Sequence, residues 1–441
     1  MFAIDNVLNQ KATSLMNFGG TYMPLMYTYP QDELLACRTG AWLGSFLNLS
    51  PVYDISGPDA VEFLNYVSVN RDYSKMKVGG SRHTIICNEK GQMMADGVLM
   101  RKEENLYRTY WLAPVIAFYA ETLDYDVQGK WVYDEFFIQI DGPKSLEIME
   151  KVSGKDLHDL KFARHTDIVV AGVPTTIHRL GMSGCLAYEM HGDMSKLETV
   201  YEAIMEAGEE FGIKRLGWMN YCRNHTQGGY PNQWIHYYYP TLLESEEMKQ
   251  YIAEHSGYNI MMNAYNFYGS ASDDIQNAFV TPFDVKWEYL INYDHDFIGK
   301  DALLKIKENP KRTIVTLEWD PADVGACFAE QFKGKFTLPF DDISNMADGA
   351  MVDFFVISKI MVGDKMVGVA TGRERDFYHN TMISLAFLDM EYAVEGTELT
   401  VLWGTNPETV FPIKVKVAQF PYYNEEFRNE TFDTSNIPRR F

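Results

Sequence analysis

The chain lacks any cysteine spacing that would build a site or a cross-link. Its five cysteines, Cys37, Cys87, Cys185, Cys222 and Cys327, form no Cys-x-x-Cys pair and are odd in number. Reduced thiols are therefore expected, rather than a disulfide framework or a zinc site. The ten histidines include no His-Glu-x-x-His, and no Gly-x-Gly-x-x-Gly follows a strand-like run. Neither a metal, a corrinoid nor a flavin is expected on that ground. Positive charge is scarce: 39 Lys and Arg stand against 61 Asp and Glu, a formal net charge of -22. Binding to nucleic acid or to an anionic membrane needs a basic surface, and this balance argues against both. No apolar run reaches the ~18 residues of a membrane span. Met1–Gly20 lacks the continuous apolar core of a signal peptide. A cytoplasmic protein is expected, as a monomer or a homo-oligomer.

What is present points to a large mixed fold. Apolar residues make up 46% of the 441 and aromatics 14%, enough for more than one core and for two or three domains. One unit recurs. Val52–Ser56 is strand-like, and Gly57-Pro58 opens a helix with Val61, Phe63 and Leu64 as its apolar positions. Phe136–Ile140 is strand-like again, and Gly142-Pro143 opens a helix with Leu146, Ile148 and Met149. Proline in the first helical turn sacrifices no hydrogen bond, so Gly-Pro suits such junctions. The two junctions predict related α+β lobes packed face to face, with a ligand between them. A common local motif used twice is the alternative. The stripe Leu197, Val200, Tyr201, Ile204, Met205, Gly208 and Phe211 predicts a helix over Ser195–Phe211, with a capping box of Ser195 and Glu198 and Gly212 closing it. Beyond it come short alternating runs: Ile314–Glu318, Ile357–Val362, Lys365–Ala370, Thr381–Leu388, Glu398–Trp403 and Ile413–Ala418. With Gly363-Asp364 as a two-residue hairpin turn, they predict an all-β C-terminal domain, barrel or sandwich. Asp320–Asp353, rich in Asp, Gly and Phe, reads as loop.

The densest cue is Leu180–Gly192, Leu-Gly-Met-Ser-Gly-Cys-Leu-Ala-Tyr-Glu-Met-His-Gly. A strand-like run enters a Gly-Met-Ser-Gly turn and leaves through Tyr188-Glu189. Glycines let a backbone approach a ligand closely. A carboxylate behind them can accept two hydrogen bonds from a flat guanidine-like edge, such as that of a pterin. A glycine-rich turn with an incidental surface glutamate is the alternative. The segment resembles the aminomethyltransferase family, the tetrahydrofolate-binding T-protein of glycine cleavage and its relatives, in which Gly-x-x-Gly-x-x-Gly-Tyr-Glu holds the pterin. Further pieces follow in the family's order: Phe18-Gly19-Gly20 with Met23-Pro24, then Arg38-Thr39, then Asn88-Glu89-Lys90-Gly91 with Asp96, then Phe297–Leu303 ahead of the β runs.

The chain also departs from the T-protein. Ala95-Asp96 replaces a pair of acidic residues, Gly184-Cys185 replaces Gly-Glu, and Ala187 replaces the next glycine. Gly217–Gly228 keeps only Arg223 of a T-protein helix whose acidic end becomes His225, and Tyr239–Asp284 is longer than a T-protein needs. These changes fall where a T-protein receives an aminomethyl group. Val69-Asn70, Cys87-Asn88, Gly97-Val98-Leu99, Gly181-Met182-x-Gly184 and the tail Asp389–Trp403 are more similar to the tetrahydrofolate-dependent aryl O-demethylases of vanillate and syringate. The Lys-Gly-Cys-Tyr-x-Gly-Gln-Glu of the iron–sulfur-linked branch is absent.

The resemblance implies an α+β, three-domain cloverleaf around a central folate channel. Residues 1–50 and 135–295 would form the folate-binding α+β domain, 51–134 a second α+β lobe, and 296–441 an antiparallel β-barrel or jelly-roll domain. The implied activity is transfer of a methyl group from a small aromatic methyl ether to N5 of tetrahydrofolate, the one cofactor expected. Glycine-cleavage aminomethyl transfer, or demethylation of a sulfur or nitrogen compound, is a second reading; folate binding without turnover is a third. Folate would be held by Glu189, Tyr188, Gly184, Met182, Asp96, His83, Arg223 and Trp287. Methyl transfer needs an in-line approach and a proton, or a donor, at the departing phenolate oxygen. Tyrosine suits that role, because its pKa of about 10 is close to that of the released phenol. Tyr239, ahead of Pro240 in the run Tyr237-Tyr238-Tyr239, is the candidate donor, with core packing as its alternative and the preferred reading for Tyr237 and Tyr238. Asp96 and His225 complete the catalytic set. A turn-holding Asp96, and satisfied core histidines at His83 and His225, are the structural alternatives. Tyr27, Tyr29, Tyr239, Arg373 and Arg375 would face a small-molecule methyl donor, the two arginines serving a substrate carboxylate or forming a solvated turn.

Overall fold

The computed structural model describes residues 7–18, 21–45, 48, 50–255, 267–334, 355–424 and 428–440. Gly57 and Gly142 occupy the same place in two copies of one unit. Strand Val52–Ser56 is followed by helix Ala60–Val67 and by the antiparallel meander Ser81–Cys87, Met93–Glu103 and Leu106–Tyr110, whose last strand pairs back onto the first. Strand Glu135–Asp141 is followed in the same way by helix Ser145–Ser153 and the meander His165–Val170, Val173–His178 and Ala187–Asp193. On its other side the strand ahead of each glycine has an antiparallel neighbour, Gln128–Val132 in one copy and Trp42–Gly44 in the other. Both glycines have positive φ, +122° and +137°, and a Cβ would lie 2.5 Å from Asp126 O and 2.4 Å from Gly40 O respectively. Each therefore packs on the segment that leads into the neighbouring strand, where a side chain has no room. The recurring Gly-Pro marks a structural repeat.

The five-stranded and six-stranded sheets meet across a polar layer. Gly80 and Arg164, equivalent residues just ahead of the two meanders, form an antiparallel bridge. Arg108 holds Asp54 through Nε and an Nη at 2.7 Å each and reaches Glu135 at 2.7 Å; the Tyr110 hydroxyl donates to Glu135 at 2.9 Å. The strand periodicity of two sorts the side chains. Tyr188 and Met190 join the apolar core on the helix side, while the ring of His191, on the opposite face, meets Tyr110 of the other sheet. Glu189 shares that inner face.

All six C-terminal runs become strands of one closed barrel, ordered Arg312–Trp319, Thr381–Asp389, Lys365–Asp376, Ser358–Val362, Glu398–Gly404, Val410–Ala418. Closure leaves no unpaired edge. Two readings need correction. Asp320–Asp353 is not loop throughout: Pro321–Gln331 is a helix, its Asp320 carboxylate accepting the Asp323 N–H at 2.9 Å with Pro321 in the first position. Asp as N-cap and Pro in the first turn are local helix-start signals; residues 335–354 lie outside the described part. The Ser195–Phe211 helix narrows to Leu197–Gly208 between two 3-10 turns, and the side chain that caps its approach is Asp193, accepting the Ser195 N–H at 2.8 Å. All five cysteines are buried and none forms a disulfide. No described helix is long and apolar enough to cross a membrane.

Candidate active site

Asp96, on strand Met93–Glu103, gathers three side chains. Its Oδ2 lies 2.8 Å from His83 Nε2, and its Oδ1 accepts the hydroxyls of both Tyr237 and Tyr239. The Asp96 N–H also donates to the Tyr239 oxygen at 2.8 Å. Extended backbone turns alternate side chains to one side, so Tyr237 and Tyr239 meet Asp96 together while Tyr238 packs against Phe267 and Phe355. Tyr237, read from sequence as packing, is thus a polar partner of Asp96, and the i, i+2 spacing was the available signal. Burial by itself would raise the Asp96 carboxyl, but His83 and the two phenols outweigh it and hold the group below the usual carboxylate range. Burial, reinforced by the Asp96 charge, pushes both phenols well above 10, so they stay protonated. The His83 ring stands edge-on to Trp287 at 4.5 Å.

Glu189 occupies a second, drier position. Its Oε2 is 3.1 Å from His178 Nδ1, and His178 Nε2 is 2.5 Å from Ser81 Oγ. Burial pushes Glu189 up to about 8 and His178 down to about 3. At pH 7 the pair is a neutral carboxylic acid beside a neutral imidazole. His191, whose ring nitrogens have no hydrogen-bond partner among the described residues, completes a group whose ligand-type atoms lie within 4.8 Å of one another. A second such group, Glu150, Asp156 and His158, is tied up structurally, with the His158 ring bonded to Glu150 at 2.7 Å and to Ile437 O at 2.9 Å. The glycines ahead of Glu189 make room for protein. A Cβ on Gly181 would lie 2.2 Å from that of Ala187, and Gly184 (φ +76°) faces Gly228 and Tyr423. Met182 accepts from Gln139 Nε2 at 3.1 Å through its sulfur, and Tyr188 points away into the core.

The helix Trp218–Gly228 links the two carboxyl groups. Every residue in it is buried although its sequence is polar. Burying a helix that polar is costly unless its side chains find partners, and most do, though both Gln227 side-chain amide atoms find none among the described residues. Asn220 donates to Glu33 at 3.0 Å, Thr226 donates to Gly372 O of the barrel at 2.9 Å, and His225 is fixed between Tyr230 O at 2.9 Å and Asn232 Nδ2 at 3.1 Å. Glu33, which the sequence reading missed, also accepts the N–H groups of Tyr27, Thr28 and Gly217. The Tyr221 ring meets His225 at 4.8 Å, and His225, desolvated by burial, also feels the Asp96 carboxylate. Arg223 and Arg375 lie 5.4 and 5.0 Å from the ring centre of Phe377, bringing two cations together, whereas Arg373 stacks on Trp403 at 4.4 Å. Tyr27 is buried beside Tyr201 and Arg215, and Tyr29 is exposed at the start of helix Pro30–Thr39. Neither of these tyrosines is brought to Asp96.

Burial depresses His225 to about 4, against about 6.5 in an unfolded chain. The unfolded state then takes up a proton that the folded state refuses, so stability is full above pH 6.5 and is lost as pH falls. From pH 6.5 to 5 this one group should cost about 2 kcal/mol. His178 and Glu189 act in opposite senses over that range and largely offset each other. The thermal midpoint should drop between pH 7 and 5, and less so in His225→Asn; identical pH dependence in the two proteins would contradict the assignment.

Two pseudo-repeated lobes and a closed barrel thus surround a buried polar helix, with Asp96 and Glu189 as two separate interior carboxyl groups. Residues 4–230 match the family described as GCVT N-terminal domain, and the chain belongs to that family. Over 99% of its length it is 38% identical to the sesamin methylene transferase of a Sinomonas species, covering 97% of that protein. It is 28% identical to the syringate O-demethylase of a Sphingobium species, over 83% of each chain. To a probable aminomethyltransferase of Thermococcus kodakarensis it is 24% identical, over 95% of this chain and 97% of the other. The solved glycine cleavage aminomethyltransferase T of Bartonella henselae shares the fold, with a TM-score of 0.65 at 16% identity over 95% of this chain and 96% of that one. The protein is an enzyme of this transferase family, near its aryl O-demethylases.

Proposed function

We propose that the protein moves one carbon from the oxygen of a small aryl ether to tetrahydrofolate. The observation that carries this reading is the Asp96 cluster, an ionised carboxylate bonded to two protonated phenols. Tetrahydrofolate supplies the nucleophilic amine. Glu189 and the neighbouring Gln139 Oε1, a buried acceptor with no partner among the described residues, fit the donor edge of a pterin. Arg223 and Arg375 supply cations for its glutamate carboxylates. Asp96 takes the proton that the amine loses, and the Tyr239 hydroxyl gives one to the departing oxygen. The C–O electrons leave with that oxygen, so protons balance and nothing is oxidised. A proton gained at Asp96 Oδ1 removes the charge that adds to burial in raising the Tyr239 phenol, which eases its release. His83 orients the carboxylate from its other oxygen.

The transferred carbon is a methyl group in the leading reading; the methylene transferase relative favours a methylene bridge as the second. We divide the chain into a folate-contacting domain of 1–50 and 135–295, a lobe of 51–134 and a barrel domain of 296–441. The strand content supports this, since the five-stranded sheet uses residues of the second range and the barrel residues of the third. The test incubates the enzyme with tetrahydrofolate and a panel of methoxy- and methylenedioxy-benzenes, a sulfonium donor and an aminomethyl donor. 5-Methyl- or 5,10-methylene-tetrahydrofolate should form from the ethers; product from the aminomethyl donor alone would refute the reading. Chelation should leave the rate unchanged. Loss on chelation with recovery on added metal would point to His178, Glu189 and His191 instead.

A further inference from the structure

A narrow apolar cleft, about 20 Å³ in volume and opening to solvent, adjoins the Asp96 cluster. Met94, Trp111, Pro114, Gln233, Trp234 and Tyr239 are among its walls. Tyr239 is shared: its ring faces the cleft while its hydroxyl rests on Asp96. Trp111 and Trp234 meet edge to face with ring centres 6.3 Å apart. Both have a left-handed backbone, φ +67° and +68°. Bulky residues rarely adopt that conformation, and it persists where the surroundings enforce it, often at binding sites. Here one backbone hydrogen bond fixes each residue, Trp111 N–H to Pro51 O at 3.2 Å and Trp234 N–H to Tyr237 O at 2.8 Å. The Trp234 indole N–H is buried and has no partner among the described residues, so it is a donor in reserve for a ligand oxygen.

Charge decides what kind of ring fits. No described side chain in the cleft wall is charged, and the nearest titratable partner of the wall, Asp96, is ionised. The undescribed residues contain a single Lys, Lys335, and no Arg or His. Arg373 and Arg375, the candidates for a substrate carboxylate, lie over Trp403 and Phe377 and do not line the cleft. A carboxylate entering here would lose its water, gain no cation and approach a like charge. We propose that the Trp111–Trp234 cleft binds the ring of an uncharged aryl ether, with the Trp234 N–H donating to an ether oxygen, and that the enzyme thereby rejects the carboxylated counterparts. The inference rests on the aryl-ether reading for the reaction but concerns only how the ring is held.

The test is binding without turnover. Folate-free protein is titrated with 1,3-benzodioxole and its 5-carboxylate, and with 1,2-dimethoxybenzene and 3,4-dimethoxybenzoate, by calorimetry and tryptophan quenching. The neutral member of each pair should bind at least about 30-fold more tightly, the cost of burying an unpaired carboxylate. Trp234→Phe should weaken the neutral ethers roughly tenfold through loss of one donor. Gln233→Arg, at the half-buried rim, should instead strengthen the carboxylates by about tenfold. Thermal midpoints near wild type confirm that the variants fold. Equal affinity for neutral and carboxylated rings, or affinities insensitive to both substitutions, would overturn the proposal. The predicted binding pattern without carbon transfer would uphold the cleft and sink the aryl-ether reaction. Transfer combined with binding that ignores both substitutions would do the reverse.

Discussion

Replacing Tyr239 by Phe should slow carbon transfer by roughly 10²–10³-fold, the usual cost of losing one donor to a developing oxyanion. The ring and its packing remain; only the hydroxyl that joins Asp96 to the cleft is lost. Asp96→Asn should fall in the same range or below it, because the amide turns N–H groups toward phenols that are themselves donors. Tyr237→Phe removes the other phenol from the same Oδ1 and should cost less, since that residue is not among the cleft walls. The three losses should not add, because the groups share one acceptor. In the two tyrosine variants tetrahydrofolate affinity should stay within about twofold, because Glu189 is remote from both hydroxyls in the hydrogen-bond network. The measurement is single-turnover formation of 5-methyl- or 5,10-methylene-tetrahydrofolate. A Tyr239→Phe rate equal to wild type would reduce the residue to a wall of the cleft.

Tetrahydrofolate binding should strengthen as pH rises towards 8. Burial holds a proton on Glu189 up to about that pH. If the carboxylate form reads the pterin edge, binding must release that proton. Apparent affinity then climbs by up to tenfold per pH unit below about 8 and levels off above it. Glu189→Gln removes the titration, so the slope should vanish. At pH 8 the variant should bind about 10–100-fold more weakly, the range for replacing a charge-assisted pair by a neutral one. Calorimetry in buffers of different ionisation enthalpy measures the released proton directly. A wild-type affinity that falls as pH rises would show that the neutral acid is the binding form and refute the assignment.

The parts of this fold that were legible in sequence are those governed by short-range chemistry. The two Gly-Pro junctions, the Gly363-Asp364 hairpin and the six alternating runs each reflect a constraint that acts within a few residues, and all reappear as expected. The Asp320-Pro321 cap carried an equally local signal that composition obscured, because neighbouring Asp and Gly residues suggested loop. The helix Trp218–Gly228 is the opposite case. Its apolar stripe is only one turn long, Trp218 with Tyr221 and Cys222, and the burial of the polar remainder follows from partners on Glu33 and the barrel, far away in the chain.

By itself, then, the sequence determined the barrel strands and the repeated Gly-Pro unit, because turn geometry and periodicity act locally, while Asp96 and Glu189 were singled out by the resemblance to the family. Only the tertiary structure decided what those carboxylates are. Asp96 receives phenols from more than a hundred residues away and stays ionised; Glu189, on the dry inner face of a sheet, keeps its proton. The physical reason is that protonation depends on desolvation and on hydrogen bonds, and both are set by which distant segments pack around the group.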